Sequence, residues 1–416
     1  MKSDISRPDP QDPYKGGFKL FNTVEAAQKM QDQLISWRRD LHQIPEVGLE
    51  LPKTSTYVAE KLSEMGIEYQ ENIGVSGIVG LIKGKEDGKT VAIRADMDGL
   101  AIVEETGLPF ASTNGNMHAC GHDAHTSMLL GAAKILNENK DKLKGNIKLI
   151  FQAGEEGPGG AKPMIDDGVM ESPKVDAVLG LHIGTIFKEI GTGGVGVAYG
   201  NLMACLDRFE IKVIGKGCHG AMPDTGVDPI VISAGVINAL QTIISREIKP
   251  NEPAVITIGQ ISGGRSYNII PDSVEIVGTA RATSQAVREK IASRMEEIVA
   301  NITKGMRGDY EFTYTYGYPP LINDAEFTKG FVETAKKVVG EDKIVEIANP
   351  TMVSEDMAYF LEEAPGTFFF LGGGNEAKGI VAPHHNSKFN VDEDVLWKGT
   401  ALLAQGAFDW LAKFHL

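Results

Sequence analysis

Four short apolar runs in this chain each stop at a residue able to do chemistry, and that recurrence narrows the fold more than any other feature. Val91-Ala92-Ile93-Arg94 leads into Asp96 and Asp98, and Ile147-Lys148-Leu149-Ile150-Phe151 leads into Glu155-Glu156. Ala177-Val178-Leu179-Gly180-Leu181 leads into His182, and Phe368-Phe369-Phe370-Leu371 leads into a glycine run and then His384-His385. Helical stretches separate several of the runs, which predicts crossover units and a largely parallel sheet. Ligands gather at the carboxyl ends of strands in such sheets, and these groups fall there. Any one of them could be an ordinary strand end; four together point to a site.

The densest cluster is Asn116-Met117-His118-Ala119-Cys120-Gly121-His122-Asp123-Ala124-His125-Thr126, in a chain with 3 cysteines and 9 histidines. Gly121 permits a turn that aims Cys120 and His122 into one small volume. Met128, Leu129, Ala132, Ile135 and Leu136 then follow helical spacing, so the cluster enters a helix. A free core cysteine with histidines capping a helix gives the same short pattern, so the rest of the chain must decide. Cys120, His122, Glu156, His182 and a late histidine supply S, N and O donors from separate segments. That set exceeds one tetrahedral zinc and suits two metal ions sharing a bridge. A thiolate favours Zn²⁺ or another late divalent ion such as Co²⁺ or Ni²⁺, while the carboxylate and imidazoles also accept Mn²⁺. Glu155, beside a proposed ligand and before Gly157-Pro158-Gly159-Gly160, is the natural general base. Asp96 is expected to orient a ligand histidine from behind.

At 416 residues the chain exceeds one ordinary hydrophobic core, so two domains are expected. The texture changes after about residue 204. Phe209, Ile211 and Val213 alternate, a helix is predicted over 229–246, strands over 255–261 and 274–280, a helix over 284–304 and a strand over 310–316. That order, β-α-β-β-α-β, is a ferredoxin-like unit. The expected organisation is therefore a catalytic α/β domain of residues 1–203 and 318–416 with a lid domain of residues 204–317 inserted. Near the start, helices are predicted from Asn22 or Thr23 to about Pro45 and over 55–65. The net charge of -15 argues against a nucleic-acid partner. Residues 1–17 lack the apolar core of a signal peptide, no run is expected to reach bilayer-spanning length, and three cysteines suit a reducing cytoplasm.

The motifs Arg38-Arg39-x-Leu41-His42 with Pro45-Glu46, Arg94-Ala95-Asp96-Met97-Asp98, Met117-His118-Ala119-Cys120-Gly121-His122-Asp123, Gln152-Ala153-Gly154-Glu155-Glu156 and Gly180-Leu181-His182 occur in that order. On them, the chain resembles the metal-dependent amidohydrolase family of hippurate hydrolase, N-acyl-amino-acid deacylases and plant auxin-conjugate hydrolases, from about Leu34 to Trp397. The resemblance implies two divalent ions held by Cys120, His122, Glu156, His182 and a C-terminal histidine, with Glu155 as base. Phe389, four residues on, and Asp392-Glu393 put His385 rather than His384 in the family register. It implies further that the lid often forms a homodimer. His219, in Gly217-Cys218-His219-Gly220-Ala221, would then reach the scissile carbonyl from the partner, and Asn268 and Arg281 would touch substrate. Asp224 stands where many relatives carry a second histidine. No role is assigned to His118, His125 or His384, with Asp123 or His125 left as candidates to brace a ligand from behind, and Cys205 and Cys218 read as structural or incidental.

The expected activity is hydrolysis of N-acyl amino acids to a carboxylate and a free amino acid. The alternatives are a metallo-carboxypeptidase or dipeptidase on the same scaffold and a catalytically silent metal-binding relative.

Overall fold

The computed structural model describes residues 22–413. The leader expectation for residues 1–17 lies outside them. In chain order the helices and strands begin with α1 (Thr23–Lys29), α2 (Gln31–His42), α3 (Pro52–Glu64), β1 (Glu68–Ile73), β2 (Gly77–Lys83), β3 (Glu86–Asp96), α4 (His122–Glu138), β4 (Lys144–Gln152), α5 (Ala161–Asp166) and β5 (Ala177–Gly184). β6 (Val195–Val197) and β7 (Asn201–Met203) follow, then β8 (Asp207–Ile214), β9 (Cys218–His219), α6 (Pro229–Thr242), β10 (Ala254–Gly263), β11 (Ile269–Ile270), β12 (Ser273–Ala282), α7 (Gln285–Gly305) and β13 (Asp309–Tyr316). The chain closes with β14 (Leu321–Ile322), α8 (Ala325–Val339), β15 (Ile344–Glu346), α9 (Met357–Glu363), β16 (Gly366–Gly372) and α10 (Leu396–Lys413). Asn22 is the cap of the first helix, its side chain accepting from the Glu25 N–H at 3.1 Å, and the expected long helix divides at Met30.

Eight strands form one sheet in the order β1-β2-β4-β3-β5-β16-β6-β15. The four apolar runs of the sequence are β3, β4, β5 and β16, which lie side by side in parallel. β1 with β2, β2 with β4 and β16 with β6 pair antiparallel, so the sheet is mixed, with a parallel centre. Both faces of that centre are covered, which is why its strands are apolar at successive positions. Ile93, Leu149 and Phe369 enter the core under α4 and α10, while their neighbours Ala92, Ile150, Phe368 and Phe370 enter a second core on the opposite face. Each buried phenylalanine contributes about 1.5–3 kcal/mol. The register sets Asp96 level with Gln152 and Arg94 level with Gly180, so the chemical groups emerge together at one end.

The second sheet runs β10-β12-β8-β13. With α6 and α7 it realises the expected β-α-β-β-α-β order, and it has a separate core around Phe209, Ile211, Val236, Ile276 and Met295. Among the described residues one of its faces is covered, and β8 shows it: Asp207, Phe209, Ile211 and Val213 point inward while Arg208 and Glu210 are exposed.

One expectation needs correcting. The helical stretch Pro229–Glu247 is 19 residues long and, by length and composition alone, apolar enough to span a bilayer. Its Ile232, Val236, Leu240 and Ile243 are nevertheless buried in the second sheet's core, at helical spacing.

Candidate metal centre

The site begins with a turn. Gly121 sits at φ +94°, a left-handed conformation that a side chain would strain, and α4 starts at the next residue. Cys120 therefore faces the strand ends from the loop, and His122 faces them from the first turn of the helix. The Cys120 Sγ lies 3.4 Å from His182 Nε2 and 3.5 Å from His384 Nδ1. It also groups with Glu156 and His385, all ligand atoms lying within 4.8 Å of one another, and His122 groups likewise with Glu155 and Glu156. The sulfur is thus common to two donor groups. His182 donates its Nδ1–H to the Ile183 carbonyl at 2.9 Å, which leaves the Nε2 lone pair facing Cys120.

Several buried polar atoms here have no hydrogen-bond partner among the described residues: both ring nitrogens of His122, and Oε1 of Glu156. His122 is surrounded by oxygen without bonding to any of it, at 3.4 Å from Asp98 Oδ1, 3.7 Å from Asp96 Oδ2 and 4.0 Å from Glu156 Oε1. Burial would lower its pKa, but Asp96, Asp98 and Glu156 raise it to about 10. Glu156 Oε1 and His385 Nε2 are 3.1 Å apart yet not aligned as a hydrogen bond. Orphaned buried donors around a negative field are costly unless a cation joins them. The residues present therefore fit divalent metal ions.

Asp98 holds the two glutamates in place. Its oxygens accept the backbone N–H groups of Glu155 and Glu156, each at 3.0 Å. The Tyr318 hydroxyl donates to the Glu155 carbonyl at 2.8 Å. Burial first, then the Glu355, Glu156, Asp356 and Asp96 carboxylates, push the Glu155 carboxyl well above the usual range. Behind it, the buried Arg94 pairs with Asp96 at 2.8 Å and with Glu355 and Asp356 at 2.9 Å each. Asp356 also accepts from Gln152, Gly160 and Ala161, tying together the loop that carries Glu155.

Asp96 receives Arg94 on one oxygen and His125 Nδ1 at 2.6 Å on the other; the histidine it hydrogen-bonds is His125. Nε2 of that ring accepts the Ile183 N–H at 2.8 Å, so both nitrogens of His125 are engaged in fixing β5 beside the helix. His219, in β9, and Asn268, in the turn before β11, are exposed, and their hydrogen bonds are local: Nδ1 of His219 accepts from Ala221 at 3.1 Å, the Asn268 carbonyl accepts from Gly220 at 2.8 Å, and its side-chain oxygen accepts from the Ser266 hydroxyl at 2.6 Å. Arg281, at the end of β12, reaches the first domain and donates to the Met352 carbonyl at 3.1 Å and the Ser354 hydroxyl at 3.4 Å. Among the described residues no carboxylate pairs with it.

Asp98, Arg94, Glu355, Asp356 and Tyr318 were not singled out as site residues from the sequence. Asp98 carried a signal, being at the same strand end as Asp96; the pairing of Glu355-Asp356 with Arg94 had none.

Residues 92–408 match the sequence model of Peptidase family M20/M25/M40. The chain belongs to this family. Thermostable carboxypeptidase 1 of Saccharolobus solfataricus is 43% identical over 394 residues, 93% of this chain and 97% of that protein. The N-acyl-L-amino acid amidohydrolase of Geobacillus stearothermophilus is 44% identical over 308 residues, 72% of this chain and 82% of its own. Among solved structures, the YXEP protein of Bacillus subtilis, described as a dinuclear metal binding peptidase of the M20 family, superposes with a TM-score of 0.79 at 33% identity. The match covers 92% of this chain and 99% of that one. The family resemblance read from the motifs and the α/β fold are both borne out.

Proposed function

We propose that the protein hydrolyses the amide bond of N-acyl amino acids, releasing a carboxylic acid and a free amino acid. The observation that carries this reading is Glu155 held by Asp98 beside a donor set in which Cys120 belongs to two groups. Cys120, His122, Glu156, His182 and His385 would hold two divalent ions, Zn²⁺ or Mn²⁺. When bound, such ions supply Lewis acidity, lowering the pKa of water and polarising an amide carbonyl.

Glu155 takes the proton of the attacking water and passes it to the leaving nitrogen. His219 accepts the Ala221 N–H on Nδ1, so its Nε2 carries the proton and can donate to a developing oxyanion. Its exposure on a single chain suits a residue offered to a second copy, and we assign the working form as a homodimer with His219 acting across the interface. Arg281, short of a counter-charge, and Asn268 take the amino-acid end, the arginine holding its carboxylate. Three free cysteines suit the cytoplasm as its location.

The carboxypeptidase relative supports a second reading, cleavage of unblocked peptides. A free amino terminus needs an acidic pocket, and the buried acids nearest Glu155, Glu355 and Asp356, are already paired with Arg94. That favours a blocked acyl group.

The experiment is Glu155→Gln. Two ions per subunit should remain while turnover falls by about 10²–10⁴-fold. Turnover near that of the wild type would remove Glu155 from the role of base.

A further inference from the structure

Two imidazoles face the Cys120 sulfur at nearly equal distances, yet their far nitrogens are bonded in opposite senses. Nδ1 of His182 meets a carbonyl, Ile183 O at 2.9 Å, so it carries the proton and Nε2 keeps a lone pair toward the sulfur. Nε2 of His384 meets a donor, the Thr185 N–H at 3.0 Å, so it is the acceptor and unprotonated. A neutral imidazole has one proton, which in His384 must then sit on Nδ1, the nitrogen 3.5 Å from Cys120 Sγ. A protonated ring nitrogen has no lone pair for a metal ion.

We propose that His384 is not a metal ligand but a positioning residue that donates an N–H···S hydrogen bond to the Cys120 thiolate and tunes its bond to the ions. The proposal rests on Cys120 being a metal ligand, as proposed above. It also separates the adjacent histidines on geometry: His385 faces Glu156, with Nε2 3.1 Å from Oε1, while His384 backs the sulfur.

The niche around His384 is built for this orientation. Its ring packs on Phe389 with centroids 4.6 Å apart and meets His182 edge-on at 5.1 Å. Gly184, at φ +143°, leaves the room: a Cβ there would stand 2.1 Å from His384 Nε2. The same loop brings the Thr185 N–H to the ring, so rotamer and tautomer are fixed together. A hydrogen bond to a thiolate that holds metal withdraws charge from sulfur, which would leave bound ions more electron-poor and better able to polarise a carbonyl. Partners behind a ligand characteristically change metal affinity by about 10–100-fold when removed.

The test uses Co²⁺-substituted full-length protein, read by metal count, chelator competition and the thiolate-to-cobalt charge-transfer band. The wild type should bind two ions and show a band that Cys120→Ser abolishes; absence of that band would fault the metal reading itself. His384→Leu should still bind two ions, with the band moved to longer wavelength and affinity changed about tenfold or more. His384→Asn, which keeps an N–H facing the sulfur, should restore the band position. One ion per subunit in His384→Leu would make His384 a ligand and overturn the proposal, as would two ions with an unmoved band. Should His384→Leu not fold, ¹⁵N-histidine spectra of the metal-loaded wild type decide: a protonated Nδ1 on His384 supports the assignment, and a metal-bound Nδ1 contradicts it.

Discussion

His118 is the imidazole of the cluster that nothing in the site uses. Both ring nitrogens are buried without a hydrogen-bond partner among the described residues, and burial pushes the pKa down to about 4 against the pull of Asp123. In the unfolded chain the same group titrates near 6.5. Between those values the unfolded state binds a proton that the native state refuses, so stability is fully present above about pH 6.5 and is lost as pH falls toward 4. Urea unfolding of the metal-free wild type should therefore lose roughly 2–3 kcal/mol more between neutral pH and about pH 4.5 than His118→Asn does. Equal losses in the two proteins would contradict this. Residues such as Cys120, Glu155 and His182 were legible because strand ends and a turn glycine announce them locally. Asp356 was not, because its partner Gln152 is 204 residues away and only the folded chain brings the two together.

At the scale of elements, the parallel centre could be read because burial on both faces gives β3, β4, β5 and β16 apolar runs that do not alternate, broken inside the runs by the buried Lys148 of β4 and His182 of β5. The antiparallel members could not: β1 is mostly exposed and β6 is only three residues long, so neither carries a pattern that fixes its direction. The lid unit was legible for the opposite reason, since one covered face imposes strict alternation on β8. In the proposed function the end of β12 serves the substrate carboxylate: it delivers Arg281 to the loop at Met352–Ser354, where among the described residues no carboxylate pairs with it. Arg281→Met should raise KM for an N-acyl amino acid by about 10–100-fold, the value of a charge-assisted hydrogen bond. The corresponding N-acyl amino amide, which lacks the carboxylate, should be affected little. Equal losses on both substrates would reduce Arg281 to a structural contact.

At the scale of the molecule, the proposed division of labour between two copies makes a mixing experiment informative. Glu155→Ala and His219→Ala should each be inactive alone. In a homodimer with His219 acting across the interface, re-equilibrating the two would rebuild one intact site in each mixed dimer, or about a quarter of wild-type activity. No recovery after subunit exchange would place His219 in its own chain's site. The order of elements and the inserted unit could be anticipated from texture along the chain; whether His219 serves a neighbour depends on a second surface that no single sequence displays. The identity of the substrate is the claim on which the account turns. Its most direct measurement is amino-acid release from N-acetyl, N-benzoyl and indoleacetyl amino acids beside unblocked dipeptides, with protein loaded separately with Zn²⁺ and Mn²⁺. The account predicts turnover of the blocked substrates and little of the free dipeptides; preference for free dipeptides, or silence across the panel with both metals, would contradict it.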